Sequence, residues 1–513
     1  MSKIDPAHKF TSEAVRSYSG DVKPVVPGTQ ELSPIALQIA TQYRRDTMSP
    51  VMVSGIMRLV EFALLLVSGM ALYAAYIGID TFMLWHYPLL IVLTSVAAVI
   101  ILEITDNYQI ANLRHPMKSL GTIILVWGGT LALMTAAGFF LKISEEFSRL
   151  WLAAWFATGL GLILALRFVM SRLVRRWARN GVMERRAVIV GGGKGAEILI
   201  RSIEQQPHND IRICGIFDDR DDRRSPPVVA GYPKLGNVSE LIDFARIARI
   251  DMMIVSLPLT AESRVLAMLK KLWVLPVDIR LSAHSNQLRF RPRAYSYIGS
   301  VPMLDIFDKP INDWDSVAKR AFDIVFSLLG IIAFSPIMIA TAIAIKLDSK
   351  GPVFFRQKRH GFNNEVIDVY KFRSMYTDQC DPTARKAVTK GDPRVTRVGR
   401  FIRKTSIDEL PQFFNALIGN LSLVGPRPHA VTAQSHHRLY HEVVDGYFAR
   451  HRVKPGVTGW AQINGWRGEI DHDDKIRMRT EFDLYYIENW SLWFDLKILF
   501  LTPIRLLNTE NAY

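Results

Sequence analysis

Asp408 and Glu409 stand side by side in SIDELPQFFN (406–415), inside a run of cations. Arg394, Arg397, Arg400, Arg403 and Lys404 precede them, and Arg427 follows between Pro426 and Pro428. Upstream, VFFRQKRHG (353–361) and VIDVYKFRSM (366–375) read as a hairpin across Asn363-Asn364, adding Arg356, Lys358, Arg359, Lys371 and Arg373. Repeated arginine suits phosphate, because the guanidinium fork binds two oxygens at once. A solvated basic face or contact with anionic lipid accounts for some of these cations, but not for acids set among them. Neighbouring residues on a helix point ~100° apart, so the two acids cannot share one proton and suit separate roles. One carboxylate can attack phosphorus and form an acyl phosphate. Its neighbour can hold Mg²⁺, which takes carboxylates together with substrate phosphates. Prolines on both sides of Arg427 fix φ and preorganise it.

The elements that must position these residues begin with long apolar runs. Four occur at about 57–79, 82–104, 119–141 and 147–170, each near the ~20 residues that cross a bilayer. Glu61 and Glu103 fall near helix ends, where a charge costs less. Lys and Arg cluster before the first run and after the fourth, so both the N-terminus and everything beyond residue 170 are expected on the cytoplasmic side. Residues 1–50 are polar, broken by prolines and without helical period, and read as a flexible tail. A fifth run, 321–347, has Ser335-Pro336 at its centre and basic residues on both flanks. Proline breaks or kinks a helix, so this segment is expected to enter and leave one leaflet as a helix-break-helix. The other reading, a kinked spanning helix, strands residues 350–513 outside the cell.

Between the two hydrophobic regions, residues 185–305 alternate strands (187–190, 211–217, 252–258, 276–281) with helical patterns (196–206, 238–249, 260–272). This is the βαβ pattern of a doubly wound parallel sheet. The first turn fits G-x-G-x-x-A, with Gly191 and Gly193 after the strand, and Asp218 ends the second strand where a ribose-binding acid sits. A nucleotide site and a turn kept for packing are both consistent with this.

SIDELPQFFN, LSLVGPRP (421–428), KPGVTGWAQING (454–465) and the Ser335-Pro336 segment together resemble the monotopic phosphoglycosyl transferases, the bacterial sugar transferases that start glycan assembly on undecaprenyl phosphate. The likeness covers 316–513. Four spans and a Rossmann-like domain in front are similar to the long-form members, and most of all to the undecaprenyl-phosphate glucose phosphotransferases of exopolysaccharide synthesis. The resemblance implies a ping-pong reaction. Asp408 attacks the β-phosphate of a UDP-sugar, UMP leaves, and undecaprenyl phosphate takes the sugar phosphate from the aspartyl intermediate. It implies Mg²⁺ on Glu409, phosphate contacts from Lys371, Arg373 and Arg427, and later site acids at Asp483 and Asp495. Arg467 is carried over more loosely, because Trp466 separates it from Asn464-Gly465. The fold expected is a membrane protein with a tail (1–50), a four-helix transmembrane bundle (51–172), an α/β Rossmann-like domain (185–305), a re-entrant hairpin (316–348) and a mostly helical α+β catalytic domain (349–513). Its expected place is the bacterial inner membrane, touching membrane lipids, as a homodimer through the middle domain.

Composition agrees and excludes other classes. Lys plus Arg outnumber Asp plus Glu by 63 to 48, mean hydropathy is +0.12, and Cys214 and Cys380 are the only cysteines. A disulfide framework and a cysteine-rich zinc module are thereby excluded. The +15 charge sits beside membrane segments and phosphate motifs, so no nucleic-acid partner is expected. A membrane-bound nucleotide-sugar dehydratase or epimerase needs Tyr-x-x-x-Lys, and none of the 16 tyrosines has a lysine four residues on. A non-enzymatic scaffold for polysaccharide assembly leaves the acid pair and the Pro-Arg-Pro loop without a role.

Overall fold

The computed structural model describes residues 10–506, except 19, 21–25, 45–46, 79–84, 115, 143–146, 207–210, 221–224, 283–294, 299–300, 380–391, 432–433, 436–437, 467 and 469–471. Two units form, one from residues 46–184, the other from the N-terminal segment together with residues 185–513. In the first unit lie four helices long and apolar enough to cross a membrane: Pro50–Tyr76, His86–Ile104, Ser119–Phe140 and Arg149–Arg179. Their shared core holds Trp127, Trp151 and Trp155, all fully buried. Glu61 does not lie at a cheap helix end as expected. It is buried between helices, where Arg167 grips both its oxygens at 2.8 and 3.2 Å and the Tyr108 hydroxyl donates at 2.5 Å. A buried carboxylate is tolerable only with such partners.

The Rossmann-like domain is built on strands β1 (Arg185–Val190), β2 (Ile211–Phe217), β3 (Val228–Val229), β4 (Tyr232–Gly236), β5 (Met252–Val255), β6 (Asp278–Ser282), β7 (Tyr295–Ile298) and β8 (Val301–Phe307), in the order β3-β4-β2-β1-β5-β6-β8-β7. The four strands read from the sequence are its parallel centre, and helices Lys194–Glu204, Val238–Ile247 and Glu262–Leu272 fall where expected. The sheet is mixed and not purely parallel, because β3, β8 and β7 pair antiparallel at its two sides. These strands are short or carry Pro302 and polar residues, so they lack the continuous apolar run of a central parallel strand.

The N-terminal segment also departs from expectation. It carries helices Ser12–Ser17 and Pro34–Gln42, capped by the hydroxyls of Thr11 and Ser33. Phe10, Val15, Ala36 and Ala40 are buried in the Rossmann core. Helices this short are not stable alone. Packing makes them, so no period was visible.

The C-terminal part of the chain follows helix Asp313–Asp348. This helix runs through Pro336 without interruption, so the expected break is absent. Pro336 leaves the Ile332 carbonyl without its i+4 donor, and the Ser335 hydroxyl donates to that same oxygen at 2.8 Å. Beyond the helix, Phe354–His360 pairs antiparallel with Val366–Phe372, with Asn363 and Asn364 at φ 51° and 59° in the turn. Asn415 pins this hairpin to helix Gln412–Ile418, accepting from the Tyr370 amide and donating to the Asp368 carbonyl, each at 2.8 Å. Strand Ser422–Val424 lies parallel to Gly456–Thr458. A Cβ on Gly456 would stand 2.1 Å from the Gly425 nitrogen, and one on Gly459 2.2 Å from the Gly425 oxygen. Glycine at these positions lets the two motifs touch backbone to backbone, which fixes the base of the loop carrying Arg427.

Candidate active site

Asp408 and Glu409 occupy a single 3-10 turn, Ile407–Glu409, entered through Ser406 at φ 59°. At three residues per turn their side chains diverge by ~120°. Lys371, from the second hairpin strand, stands between them, 2.9 Å from Glu409 Oε1 and 4.0 Å from Asp408 Oδ2. Arg427 forks onto Glu409, Nη2 to Oε1 at 2.6 Å and Nη1 to Oε2 at 3.2 Å. Burial alone would raise the Glu409 carboxyl, but Arg427 and then Lys371 hold it well below the usual carboxylate range. Asp408 lacks such a fork. Burial is the main influence on it and pushes its carboxyl up, with Lys371 opposing. Two adjacent acids therefore receive opposite electrostatic settings, as two different roles require.

Buried groups behind the acid pair hold the Arg427 loop. Arg450 donates to the Arg427 carbonyl at 2.8 Å and to Asp483 Oδ2 at 2.5 and 3.1 Å, while its Nη1 lies 2.5 Å from His429 Nδ1. Arg359 donates to the Pro428 carbonyl and, at 2.7 and 3.1 Å, to Gln357. Burial, and Arg427 beside it, lower the Arg359 guanidinium to about 10. Asp483 thus touches the site through Arg450, and Arg450 is a positioning residue the sequence reading did not name. Its signal was weak: an arginine in Ala449-Arg450-His451-Arg452 reads as surface charge.

Other candidates lie elsewhere. Arg373 is buried and fully engaged, donating to the carbonyls of Ser349, Lys350 and Pro352 at 2.9, 3.0 and 2.7 Å and to Thr377 Oγ1 at 2.9 Å. It closes the exit of the long helix and is not brought to the acid pair. Asp495 is fully buried and receives Lys319 at 2.7 Å, the Tyr486 hydroxyl at 2.7 Å and Trp490 Nε1 at 3.2 Å. Lys319 also donates to the Val424 carbonyl at 3.1 Å. Asp495 therefore anchors the start of the long helix to the strand that feeds the Arg427 loop. Ser335 and Pro336 lie within that helix, and Arg467 lies outside the described residues.

In the Rossmann-like domain, Gly191 has φ 101° and Asp218 Oδ2 accepts from the Gly192 amide at 2.6 Å. Arg220 binds the same carboxylate at 2.7–3.1 Å, and a Cβ on Gly192 would stand 2.2 Å from Ser225 Oγ. A carboxylate and a serine thus occupy the place above the glycine turn that a pyrophosphate takes in dinucleotide folds. A Cβ on Gly193 would meet the Arg220 guanidinium at 3.3 Å. The packing reading of Gly191, Gly193 and Asp218 accounts for all of these contacts.

Comparison with known proteins bears on the family of the chain. Residues 314–509 match the bacterial sugar transferase family, and 103–283 match a CoA-binding domain. The chain is 36% identical over 434 residues to the UDP-glucose:undecaprenyl-phosphate glucose-1-phosphate transferase of Escherichia coli strain K12, covering 84% of this chain and 90% of that protein. Proteins of the same description from Xanthomonas campestris pv. campestris (32% identical, 89% and 94% covered) and Klebsiella pneumoniae (35% identical, 90% and 97% covered) are similarly related. With a matching catalytic module and relatives aligned over nearly their whole length, the chain belongs to the bacterial sugar transferase family, as a membrane-associated phosphotransferase.

Proposed function

We propose that this enzyme transfers glucose-1-phosphate from UDP-glucose to undecaprenyl phosphate, by way of a covalent intermediate on Asp408. The observation that carries this is the divided acid pair: Glu409 tied to Arg427 and Lys371, Asp408 buried beside the same lysine without a guanidinium fork. In the first step an Asp408 oxygen bonds to the β-phosphorus as the bond from that phosphorus to the bridging oxygen breaks. UMP leaves with the electron pair, and Lys371 and Arg427 offset the charge that gathers on the phosphoryl oxygens. In the second step a phosphate oxygen of the lipid attacks the same phosphorus and the Asp408 carboxylate is released. The names of the relatives support glucose as the sugar, and the relative from Rhizobium leguminosarum bv. phaseoli named an exopolysaccharide production protein supports a place in exopolysaccharide synthesis.

The residues fit a magnesium ion. A carboxylate offers about four acceptor positions. Arg427 takes two on Glu409 and Lys371 one, which leaves a place on Oε2. Mg²⁺ asks for one or two carboxylates beside substrate phosphates and water. When bound, the ion supplies charge neutralisation on the diphosphate.

Membrane placement at one face is supported by helix Asp313–Asp348. A helix crossing ~30 Å of hydrocarbon puts its two ends on opposite sides. Here Lys319 bonds to Val424 and Asp495 near one end, Gly330 and Phe334 approach Phe413 in the middle, and Asp348 accepts from the Val398 amide at the other. One domain touches the helix along its length, while Ile332, Ile339 and Leu347 are exposed. Helix Leu492–Leu506 adds an outward apolar face of Trp493, Phe500 and Ile504, with Asp495 and Ile498 turned inward. Residue 319 lies on the cytoplasmic side in this reading.

The test is UMP release by the full chain in nanodiscs with Mg²⁺, undecaprenyl phosphate and either UDP-glucose or UDP-galactose. We expect lipid-dependent turnover that prefers UDP-glucose and falls at least about 10³-fold in Asp408→Asn. Equal turnover by the variant would remove Asp408 from the chemistry.

A further inference from the structure

Five arginines of the membrane unit have no part in the chemistry above. Helix Arg149–Arg179 carries Arg172, Arg175, Arg176 and Arg179 at i, i+3, i+4 and i+7, so all four share one face. At ~1.5 Å per residue this helix is about 46 Å long, against ~30 Å of hydrocarbon, so its basic end stands at headgroup depth. Arg114, at the end of helix Ile110–Arg114, faces them. The five arginines and Ala178 line one open cavity of about 680 Å³.

Among the described residues none of the five has an acidic partner, and Arg114 Nε is buried without a hydrogen bond. Charges that only set membrane orientation need to lie near a helix end. They need not converge from two helices on a shared cavity, where they repel one another. A cavity lined by five arginines without acidic partners among the described residues suits phosphate oxygens. The apolar side of the same region says which phosphate. The Arg172 guanidinium lies 4.2 Å from the Phe168 ring centroid, and Phe168 and Val169 are both about half exposed. A cationic cavity therefore continues directly into a lipid-facing surface.

We propose that this cavity binds the phosphate headgroup of an anionic membrane phospholipid, with acyl chains along Phe168 and Val169. The inference does not depend on the reaction assigned to Asp408.

Native mass spectrometry of the full chain, titrated with phosphatidylglycerol or phosphatidylcholine, tests it. The R175Q/R176Q variant changes two exposed side chains without ion-pair partners. It is expected to bind phosphatidylglycerol about tenfold or more weakly, with phosphatidylcholine weak in both proteins. A control of equal charge change, R201Q/R264Q in the Rossmann-like domain, is expected to lose less than about twofold. R114Q is expected to weaken binding as well. No loss in R175Q/R176Q, or the same loss in the control, would overturn the site. Displacement of phosphatidylglycerol by undecaprenyl phosphate or by inorganic pyrophosphate at lower concentration would overturn the phospholipid assignment.

Discussion

At the residue scale the site works by giving two neighbouring carboxylates different surroundings. Glu409 is locked by a guanidinium fork and an ammonium, and Asp408 is left buried with Lys371 at 4.0 Å and, among the described residues, no such fork. The Arg427 fork cannot be reproduced by an ammonium. Arg427→Lys is therefore expected to lower kcat/KM about 10²-fold with little change in Tm, measured by UMP release beside thermal unfolding. Asp483→Asn acts on the same arginine through Arg450, leaving that guanidinium buried and short of its counterion. Because both changes converge on Arg427, the double variant should lose less than the sum of the two single losses. Full additivity would mean that Asp483 does not position Arg427. The acid pair stood out in the sequence as carboxylates set among cations, while the places of Lys371 and Arg427 beside it were implied by the family resemblance. Arg373, implied in the same way, was misleading. An arginine binds backbone carbonyls as readily as phosphates, and only the fold shows that Ser349, Lys350 and Pro352 already hold it.

At the element scale the long helix and the Arg427 loop are one assembly. Lys319, Asp323 and Asp495 join the helix to strand Ser422–Val424, with Asp323 accepting from the Leu423 amide at 3.0 Å and Ser422 Oγ at 2.9 Å. Removing one member of a buried pair costs about 3–5 kcal/mol. Asp495→Asn is thus expected to lower stability by that order in chemical denaturation and to reduce activity with it. A neutral outcome would show that the helix is held by apolar packing alone. The apolar length of this helix and the two halves of its hairpin partner were readable from periodicity. Continuity through Pro336 was not, because it rests on the Ser335 hydroxyl taking the Ile332 carbonyl, a local repair that a proline rule does not include. The edge strands β3 and β7 and the neighbouring β8 escaped for a related reason: β3 and β7 have only two and four residues, and Pro302 and Asp305 interrupt the apolar run of β8.

At the scale of the whole molecule, the segment before residue 46 is structural. Phe10, Val15, Ala36 and Ala40 complete the Rossmann core, and Asp243 accepts from the Gln30 amide at 3.0 Å. Its helices gave no sequence signal because tertiary packing supplies their stability. Deleting residues 2–43 is expected to lower the Tm of the unit that holds residues 185–513 by about 4–8 °C or more and to expose apolar surface to a hydrophobic dye; an unchanged Tm would make the segment dispensable. The larger organisation combines apolar helices with a charged acid–arginine cluster, and the proposed reaction uses one water-soluble substrate and one lipid phosphate in turn. That sequence of events is most directly tested by mixing the full chain with UDP-glucose and Mg²⁺ while omitting the lipid, then measuring UMP and intact protein mass. A covalent intermediate predicts a burst of UMP of about one per active chain, a protein heavier by one hexose phosphate at Asp408, and loss of both in Asp408→Asn. UMP release that waits for undecaprenyl phosphate, with no mass added to the protein, would contradict it and leave direct transfer between the two substrates.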